Sequence, residues 1–551
     1  MDIREKINTS LGKIILGLTQ ESIDPELSLT QDLSFGDYTT NIALRISKKL
    51  NINPRDLAEE IKQKVSESEL LKGDLEKIEV AGGGFINFYL SEKYLLEVLK
   101  NIDDDFGVAK EKDVKTVVEF GDPNPFKQIH IGHLRNFCIG ESFSRLLESQ
   151  GNNVIRANYQ GDVGMHVAKA LYGLIKKEVK DLTAQNLADA YSYGASEFEN
   201  SEEAKKEIQK LNKLVYEESD EIKELWENAR EISLESFEKI YQKIGVKYDK
   251  YYFESETAKE GKKIVLDHID DGIFERDEGA VIYRGENDGL HTRVFLTRED
   301  YATYEGKDLA LAVMKNDDLN YDKSIILTGN EQAEYFQVML SALKKISPDL
   351  FEKTTHLTFG HVRLKEGKMS SRTGDVITAD WLLNEAVDKI KQNFSEVDID
   401  TSEKIGIGAV KYSMLKFAIN SDIHFDFDES ISLDGNSGPY LQYTYVRTKS
   451  VLEKSSSESG SNSGNIEKEE NELLRYLSYY PYFIEKAAAD FAPNVLCNYL
   501  FELCQKYNLF YQKKKIIGHE KEGFRLQMTK ATGQVIKNGL NLLGIETVNK
   551  M

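Results

Sequence analysis

Residues 114–159 read "VKTVVEFGDPNPFKQIHIGHLRNFCIGESFSRLLESQGNNVIRANY". The apolar run at 114–120 is typical of a buried strand, and "NVIRANY" at 153–159 is a second such run. Between them, apolar residues recur near helical spacing from Leu134 to Leu147, and Gly151 is a common helix stop. Strand, helix and strand in succession form the βαβ unit of a doubly wound parallel sheet. The stretch therefore predicts an α/β fold of the Rossmann-like kind.

The chain of 551 residues is predicted to contain three domains. Residues 1–110 alternate helical patterns with strand-like runs, and "KIEVAGGGFINFYL" at 77–90 indicates two strands around a glycine turn. Residues 111–400 carry the α/β pattern, with a charged helical insertion at about 165–290. Residues 401–551 are mostly helical in pattern. Their polar stretch at 453–472 is typical of a solvated loop.

Composition and charge exclude several classes of protein. No apolar run approaches the roughly 20 residues of a membrane span, and the N-terminus lacks the apolar core of a signal peptide, so a cytoplasmic protein is expected. Cys138, Cys497 and Cys504 form no CxxC pair, so neither a disulfide framework nor a zinc site is expected. The net charge of −22 argues against a protein coated with nucleic acid, but the basic stretch at 506–537 predicts a local face for RNA.

Two of the nine histidines, His130 and His133, flank Ile131 and Gly132 where the first strand gives way to the helix. In such sheets the ligand crevice opens at the carboxyl ends of the strands, and a helix N-terminus there favours phosphate. Gly132 lets the backbone approach a base or a phosphate, and two imidazoles can donate hydrogen bonds to phosphate oxygens. The glycine patterns of nicotinamide and P-loop sites are absent from this loop. A helix start that merely carries two histidines explains the tetrapeptide equally well.

A second loop, "LKEGKMSSRTGDVI" at 364–377, places Lys368, Ser370, Ser371 and Arg372 between a strand and a helix. Alone, this sequence indicates an exposed basic turn. The occurrence of both loops in this order is a far more specific signal of function than either loop alone.

The two loops resemble the HIGH and KMSKS signatures of class I aminoacyl-tRNA synthetases, and other segments resemble the arginyl-tRNA synthetase family. The resemblance covers essentially the whole chain and is carried by "VEFGDPNPFKQIHIGHLRN" (118–136), "NYQGDVGMHV" (158–167), "ATYEGKDLALA" (302–312), "LTGNEQAEYFQVML" (327–340), "SGPYLQYTYVRTKSVL" (437–452) and "RLQMTKATGQVIKNGLNLLGIE" (525–546). There are two departures. Pro125 and Phe126 replace small and apolar residues of the first loop, and Arg372 stands where the second signature has lysine.

The resemblance implies a Rossmann-like catalytic domain, an N-terminal α+β domain that contacts tRNA and a C-terminal all-α anticodon-binding bundle. It implies that arginine and ATP form arginyl-adenylate and pyrophosphate, and that the arginyl group then passes to the 3′ end of the tRNA for arginine. Magnesium is expected to accompany ATP, no structural metal is expected, and the protein is expected to be a monomer. The residues implied for ATP binding and catalysis are Lys127, His130, Gly132, His133, His361, Lys368, Met369, Ser370, Ser371 and Arg372.

An arginine pocket needs carboxylates and planar acceptors, because a guanidinium is a flat fork of five donors that keeps its charge. The residues that the resemblance marks for this pocket are Glu119, Asn124, Glu254, Tyr304, Asp308 and Gln332. We expect Asp308 to bind the guanidinium, with Glu119 and Asn124 nearer the α-amino group. Taken in isolation, Asp308 is as well explained by a surface ion pair with Lys307 or Lys315.

A further group of residues occupies positions that the family uses for tRNA: Phe85, Asn87, Tyr443, Arg447, Tyr511 and Met551. In the N-terminal region an aromatic ring beside an amide suits an exposed base. In the C-terminal region tyrosines beside cations suit splayed bases, although tyrosines in this pattern also fit a helical core.

Two other functions agree with parts of this pattern. A cysteine-specific class I synthetase would gather thiolates on zinc, whereas the cysteines here are scattered over separate segments. A non-catalytic RNA-binding relative would have lost the HIGH histidines, the basic loop or the acidic pocket, and all of these are present. The sequence leaves open which tRNA bases are read and whether arginine activation waits for tRNA.

Overall fold

The computed structural model describes residues 2–30, 32–365, 377–394, 396–455 and 464–551. It separates into two compact units. The first unit contains Met1–Phe106, Thr448–Pro481 and Leu503–Val535, and the second contains Gly107–Arg447, Tyr482–Glu502 and Ile536–Met551. Among the helices described, none combines the length and the apolar content of a membrane span.

Residues 2–106 form helices α1 (Ile3–Thr19), α2 (Ile42–Leu50), α3 (Pro54–Ser66) and α4 (Glu92–Lys100) and strands β1 (Ser28–Leu29), β2 (Tyr38–Thr40), β3 (Leu75–Ala81) and β4 (Phe85–Leu90). The strands make one antiparallel sheet in the order β1-β2-β4-β3. The predicted hairpin is confirmed, since β3 and β4 pair across a turn in which Gly82 and Gly84 have φ angles of 55° and 137°. Ile86, Phe88 and Leu90 alternate on the buried face of β4.

Residues 107–394 contain most of the second unit. Its strands there are β5 (Lys115–Glu119), β6 (Asn153–Gln160), β7 (Lys250–Phe253), β8 (Glu275–Asp277), β9 (Ala280–Tyr283), β10 (Arg293–Leu296), β11 (Lys323–Gly329), β12 (Thr354–Phe359) and β13 (Val362–Leu364). Its helices there are α5 (Ile131–Ser149), α6 (Met165–Lys176), α7 (Ala184–Asn200), α8 (Glu202–Tyr216), α9 (Lys223–Ile244), α10 (Glu254–Asp267), α11 (Tyr304–Leu319), α12 (Ala333–Ile346), α13 (Pro348–Lys353) and α14 (Ala379–Asn393).

A parallel sheet in the order β12-β11-β5-β6-β7 organises this unit. The predicted βαβ unit is confirmed, because β5 and β6 pair in parallel and α5 connects them. Val117 and Val118 are fully buried, as expected for a strand with both faces covered. Strand β5 ends at Glu119 and α5 begins at Ile131, so the loop between them lies at the carboxyl end of the sheet, where such folds bind ligands.

The helical insertion is shorter than the sequence predicts. Helices α6 to α9 end at Ile244, and β7 then returns to the parallel sheet beside β6. Strands β8 and β9 lie in the range predicted to be helical, and they form a separate antiparallel sheet with β10, which follows that range. The physical reason is local, since the β-branched and aromatic run "AVIY" between Gly279 and Arg284 favours a strand.

Residues 396–551 are mostly helical, and the short strand β14 (Ile423–Phe425) pairs with β13. The helices are α15 (Ile399–Leu415), α16 (Phe427–Ser430), α17 (Gly438–Lys454), α18 (Lys468–Ser478), α19 (Tyr480–Ala489), α20 (Pro493–Lys513) and α21 (Glu522–Leu542). The predicted polar loop overlaps the end of α17 and the start of α18, and its residues 456–463 lie outside the described part of the chain. The three cysteines are buried, and no disulfide joins them.

At least four of the eight basic side chains at 506–537 form ion pairs, so the local face for RNA that the sequence predicts is reduced. The ion pairs join Lys513 to Glu469, Lys514 to Glu467 and Glu469, Lys521 to Glu467 and Glu470, and Arg525 to Glu467 and Glu470. The side chains of Arg525 and Glu470 are 2% and 0% exposed. The pair of Arg525 and Glu470 therefore belongs to the interior of the first unit, where a buried cation needs a carboxylate partner, whereas the side chain of Lys513 is 54% exposed.

Candidate active site

His130 and His133 form a reciprocal cap at the N-terminus of α5. The Nδ1 atom of His130 accepts the backbone N–H groups of Gly132 at 3.1 Å and of His133 at 3.4 Å. In return, His133 Nδ1 accepts the backbone N–H of His130 at 3.2 Å. The two rings stack with their centroids 3.8 Å apart. The histidines thus take the place that Ser and Glu usually have in a capping box.

This cap fixes the protonation of both imidazoles. Each Nδ1 accepts a backbone N–H and carries no proton, so the neutral ring must hold its proton on Nε2. Burial lowers the pKa of both rings, for His133 well below the usual range, and nearby Lys127 lowers each further. Both rings are therefore neutral near pH 7, and each has one N–H donor left for a ligand.

A cavity of about 580 Å³ lies beside this cap. Its wall is built from the loop after β5, the start of α5 and the ends of the neighbouring strands. Asn124, Gln332 and His361, three of the residues predicted to bind substrates, line it. A volume of this size suits a small-molecule substrate.

Residues on either side of the second signature loop line this cavity. The loop itself, residues 368–372, lies outside the described residues. Leu364 before it and Ile377 after it both line the cavity. The backbone N–H of Ile131 donates to the carbonyl of Ile377 at 3.0 Å, so the chain that follows the second loop is hydrogen-bonded to the first.

Arg135 connects α5 to another part of the cavity wall. Its side chain is fully buried and donates to the carbonyl oxygens of Gly360 at 2.6 Å, Ser421 at 2.8 Å and Ile419 at 3.0 Å. Gly360 lines the cavity. Arg135 therefore fixes the helix that carries the histidines relative to the end of β12. The sequence analysis did not single out this residue.

Two of the predicted arginine ligands are already paired with lysines. Glu119 pairs with Lys315 and Glu254 pairs with Lys307, and each of these side chains is less than a tenth exposed. The lysines neutralise these carboxylates within the protein. The alternative in which Asp308 pairs with either lysine at the surface is wrong, because both lysines are buried and have other partners.

Unlike Glu119 and Glu254, Asp308 does not pair with Lys315 or Lys307. It is 8% exposed, and no ion pair neutralises it among the residues that the structure describes. Tyr335 donates to Asp308 Oδ2 at 2.8 Å, and the same hydroxyl lies 3.3 Å from Gln332 Oε1. Burial raises the pKa of Asp308 to about 8, and the charges of Glu119 and Glu254 add to this effect. A buried carboxylate without a cation favours a cationic ligand.

Asn124 and Tyr304 complete the predicted pocket. A side chain at residue 161 would overlap the amide oxygen of Asn124 and crowd Glu254, so Gly161 leaves the room that they need. Tyr304 is 58% exposed, and the Nζ atom of Lys307 lies 4.6 Å from the centroid of its ring. Tyr304 is therefore a surface residue and not part of a buried floor.

The unusual residues of the first loop anchor it in the helical insertion. Phe126 has a φ of 71° and is 1% exposed, and it packs into an apolar cluster that includes Val163 and Trp226. This contact gives the aromatic ring of Phe126 a buried position in the insertion. The Nζ atom of Lys127 lies 5.2 Å from the centroid of the Tyr191 ring on α7.

Comparisons with known proteins identify the family. The profile described as "tRNA synthetases class I (R), catalytic domain" matches residues 95–427. Profiles described as "Arginyl tRNA synthetase N terminal domain" and "DALR anticodon binding domain" match residues 1–90 and 441–551. The chain belongs to the arginyl-tRNA synthetase family.

Individual relatives agree with this assignment. An arginine–tRNA ligase of Fusobacterium nucleatum is 33% identical over 96% of this chain and 95% of its own length. The arginyl-tRNA synthetase of Plasmodium falciparum is 25% identical and has a TM-score of 0.82, with both chains fully covered. That of Thermus thermophilus has the same fold, with a TM-score of 0.84 at 22% identity and full coverage of both chains. The predicted fold class and ligase activity are confirmed, and as an arginyl-tRNA synthetase the chain uses ATP, arginine and tRNA as substrates.

The residues predicted for tRNA binding differ in exposure in this arginyl-tRNA synthetase. Phe85 and Tyr511 are 43% and 42% exposed, and the guanidinium of Arg447 donates to the hydroxyl of Tyr443 at 3.2 Å. Asn87 is 3% exposed, and its amide oxygen accepts the Thr39 hydroxyl at 2.7 Å. The expectation that Asn87 meets a base is therefore not met, because the cross-strand hydrogen bond between β2 and β4 holds this side chain inside. Met551 packs against an apolar cluster that includes Ile390 and Ile405.

Proposed function

We propose that the cavity beside His130 binds ATP and arginine together and carries out arginine activation. The observation that carries this proposal is that the neutral N–H donors at the start of α5 line the same cavity as Gln332. The Tyr335 hydroxyl, 3.3 Å from Gln332 Oε1, donates to the buried carboxylate of Asp308. The donors suit phosphate, and the carboxylate suits a guanidinium. Adenylate formation requires that both ligands be held side by side.

Activation needs no nucleophile from the protein. A carboxylate oxygen of arginine attacks the α-phosphorus of ATP, the bond from this phosphorus to the bridging oxygen breaks, and pyrophosphate leaves with the electron pair. His130 and His133 donate from Nε2 to phosphate oxygens whose negative charge increases in the transition state. Magnesium enters with ATP as part of the substrate.

Cations from both signature loops neutralise the departing pyrophosphate. Lys127 has a flexible stem, which lets its ammonium leave the Tyr191 ring when ATP is bound. The resemblance assigns the same task to Lys368 and Arg372, supported by Met369, Ser370 and Ser371 of the same loop. His361 belongs to the nucleotide side of the cavity wall.

The arginine side chain is recognised by charge. Asp308 binds the guanidinium, and the Tyr335 hydroxyl orients its carboxylate. The pairs of Glu119 with Lys315 and of Glu254 with Lys307 form walls without net charge. Asn124 and Gln332 supply neutral acceptors, and Tyr304 covers the rim.

The second step transfers the arginyl group to tRNA. The terminal ribose hydroxyl attacks the arginyl carbonyl carbon, its proton passes to the leaving phosphate, and AMP is released. Residues 111–400 catalyse both steps, while residues 1–110 and 401–551 hold the tRNA. Phe85, Tyr443, Arg447, Tyr511 and Met551 remain the proposed tRNA contacts. We further propose that the enzyme acts as a cytoplasmic monomer.

An exchange assay tests this function. The full-length protein is incubated with ATP, labelled pyrophosphate and each of the twenty amino acids, with and without tRNA. Label should enter ATP with arginine and with no other amino acid. Exchange that depends on a different amino acid would overturn the assignment of the pocket.

A further inference from the structure

We propose that Asp122 binds the α-ammonium group of the substrate arginine. This inference rests on the proposed function of the cavity and deepens it. The resemblance to the family did not mark Asp122, and Glu119 and Asn124 were expected to lie near that group.

Asp122 is built into the loop between the end of β5 and the histidine cap. Its backbone is left-handed, with a φ of 43°, and its Oδ1 accepts the backbone N–H of Tyr159 at 2.8 Å. The residue lines the same cavity as Asn124 and His130. The hydrogen bond to β6 holds one carboxylate oxygen in place, so the orientation of the group does not depend on a ligand.

The charges around the cavity point to Asp122. Glu119 and Glu254 are each neutralised by a buried lysine. Of Glu119, Asp122, Glu254 and Asp308, Asp122 and Asp308 are the two for which the described part of the chain provides no ion pair. Glu331 also lines the cavity, but it is exposed. Free arginine has two cationic groups, the guanidinium and the α-ammonium. A half-buried carboxylate and a buried one, neither paired with a cation, therefore match two cations on one ligand.

The chemistry of activation gives the two carboxylates different partners. The arginine carboxylate must reach the α-phosphate near His130, and the α-ammonium is bonded to the neighbouring carbon atom. The α-ammonium must therefore lie on the side of the histidine cap. Asp122 belongs to the loop that leads into this cap, so it is placed to bind the α-ammonium. Asp308 lies on α11 and binds the guanidinium at the other end of the ligand.

The raised pKa of Asp122 agrees with its assignment to the α-ammonium group. Burial raises the pKa of Asp122 well above its usual range, and the charge of Glu119 raises it further, with a smaller contribution from Asp308. Binding of an ammonium group relieves this unfavourable environment. Asn124, which is two residues away, offers an amide oxygen but no charge, so it cannot replace Asp122.

The test compares three ligands of the full-length enzyme. Arginine carries both cations, agmatine keeps the amine but lacks the carboxylate, and 5-guanidinopentanoic acid lacks the α-amino group. Asp122→Asn is the first variant, because asparagine tolerates the left-handed backbone and can still accept the Tyr159 N–H. Asp122→Gly, which also tolerates this backbone, is the second. Asp308→Asn is the matched control.

Both variants of Asp122 should raise the arginine KM and the agmatine inhibition constant by about ten-fold or more, the range for losing a hydrogen bond to a charged group. The inhibition constant of 5-guanidinopentanoic acid should change by less than about two-fold, because its missing group is the one that Asp122 binds. Asp308→Asn should weaken all three ligands. Two results would overturn the role of Asp122, provided that Asp308→Asn weakens the binding of all three ligands. In the first, the Asp122 variants weaken the binding of all three ligands equally. In the second, they leave arginine binding unchanged. If Asp308→Asn changes none of the ligands, the proposed arginine pocket itself is wrong.

Discussion

His130 and His133 each use Nδ1 to accept a backbone N–H at the start of α5, and their rings stack 3.8 Å apart. Each imidazole therefore has two separate roles. Its Nδ1 satisfies a backbone donor that would otherwise be unpaired, and its Nε2–H remains for phosphate. The two roles can be separated by substitution.

The variant His130→Asn should preserve the cap and remove the phosphate donor, because an asparagine amide oxygen can also accept backbone N–H groups at a helix start. Its kcat for adenylate formation should fall by about two decades, the usual loss for one preorganised donor to a developing charge. His130→Ala should lose in addition about 1 kcal/mol of unfolding free energy, because the cap is gone. Single-turnover kinetics and urea unfolding measure the two effects, and a near-normal kcat for His130→Asn would contradict the role of Nε2.

Lys127 should act on the transition state and not on substrate binding. Lys127→Ala should lower kcat for adenylate formation by about two decades, since one cation at the departing pyrophosphate is lost. The KM values for arginine and tRNA should change little, because this interaction strengthens only as the phosphate bond breaks. Tyr191→Leu removes the resting contact of the ammonium and serves as the control, with kcat within about three-fold of normal. Pyrophosphate exchange with saturating tRNA measures both variants, and an unchanged kcat for Lys127→Ala would refute the proposal.

Arginine binding should depend on pH through Asp308. In the free protein burial raises the pKa of this carboxyl to about 8, whereas pairing with a guanidinium requires the ionised form. The groups that face it are Tyr335, Glu119, Glu254 and Lys307. Below this pKa binding must release a proton, so the arginine KM should fall as the pH rises towards about 8 and then level off. Asp308→Asn should flatten the profile, and a KM that rises over this pH range in the unmodified enzyme would contradict the sign.

Arg135 should be essential for the stability of the second unit. Arg135→Leu removes the donor of the buried Gly360 carbonyl, whereas the exposed Ser421 carbonyl can bind water and the Ile419 carbonyl keeps the N–H of Gly360. One buried unpaired group costs about 1–3 kcal/mol, so we expect a loss of that size in unfolding free energy, measured with urea. Arg298→Leu is the control, because Arg298 is 67% exposed and its ion pair is worth little. Equal stability of the two variants would show that the carbonyls find other donors.

Local patterns were sufficient to predict the elements that position the site. The strand runs, the helical spacing and Gly151 predicted the βαβ unit, because each signal acts within a few residues. Phe126 could not be understood in the same way. Its partners Val163 and Trp226 come from distant parts of the insertion, and only the fold brings them together.

Charge patterns along the chain predicted the site less well than apolar patterns predicted the fold. The basic stretch at 506–537 predicted a surface for RNA, but Glu467, Glu469 and Glu470 of an earlier segment neutralise much of it. The same limit applies to the arginine pocket. The sequence marked Glu119 and Glu254 as ligands, and it could not show that Lys315 and Lys307 pair with them.

The central claim is that Asp308 selects arginine by forming an ion pair with its guanidinium group. The most direct measurement compares arginine with citrulline, which replaces the guanidinium by a neutral urea group of similar size, before and after Asp308→Asn. The variant should raise the arginine KM by about two to three decades, the cost of removing one partner of a buried charge pair. Its ATP KM should change by less than about three-fold, and its preference for arginine over citrulline should shrink. An arginine KM within about three-fold of normal, with the preference over citrulline intact, would contradict the claim.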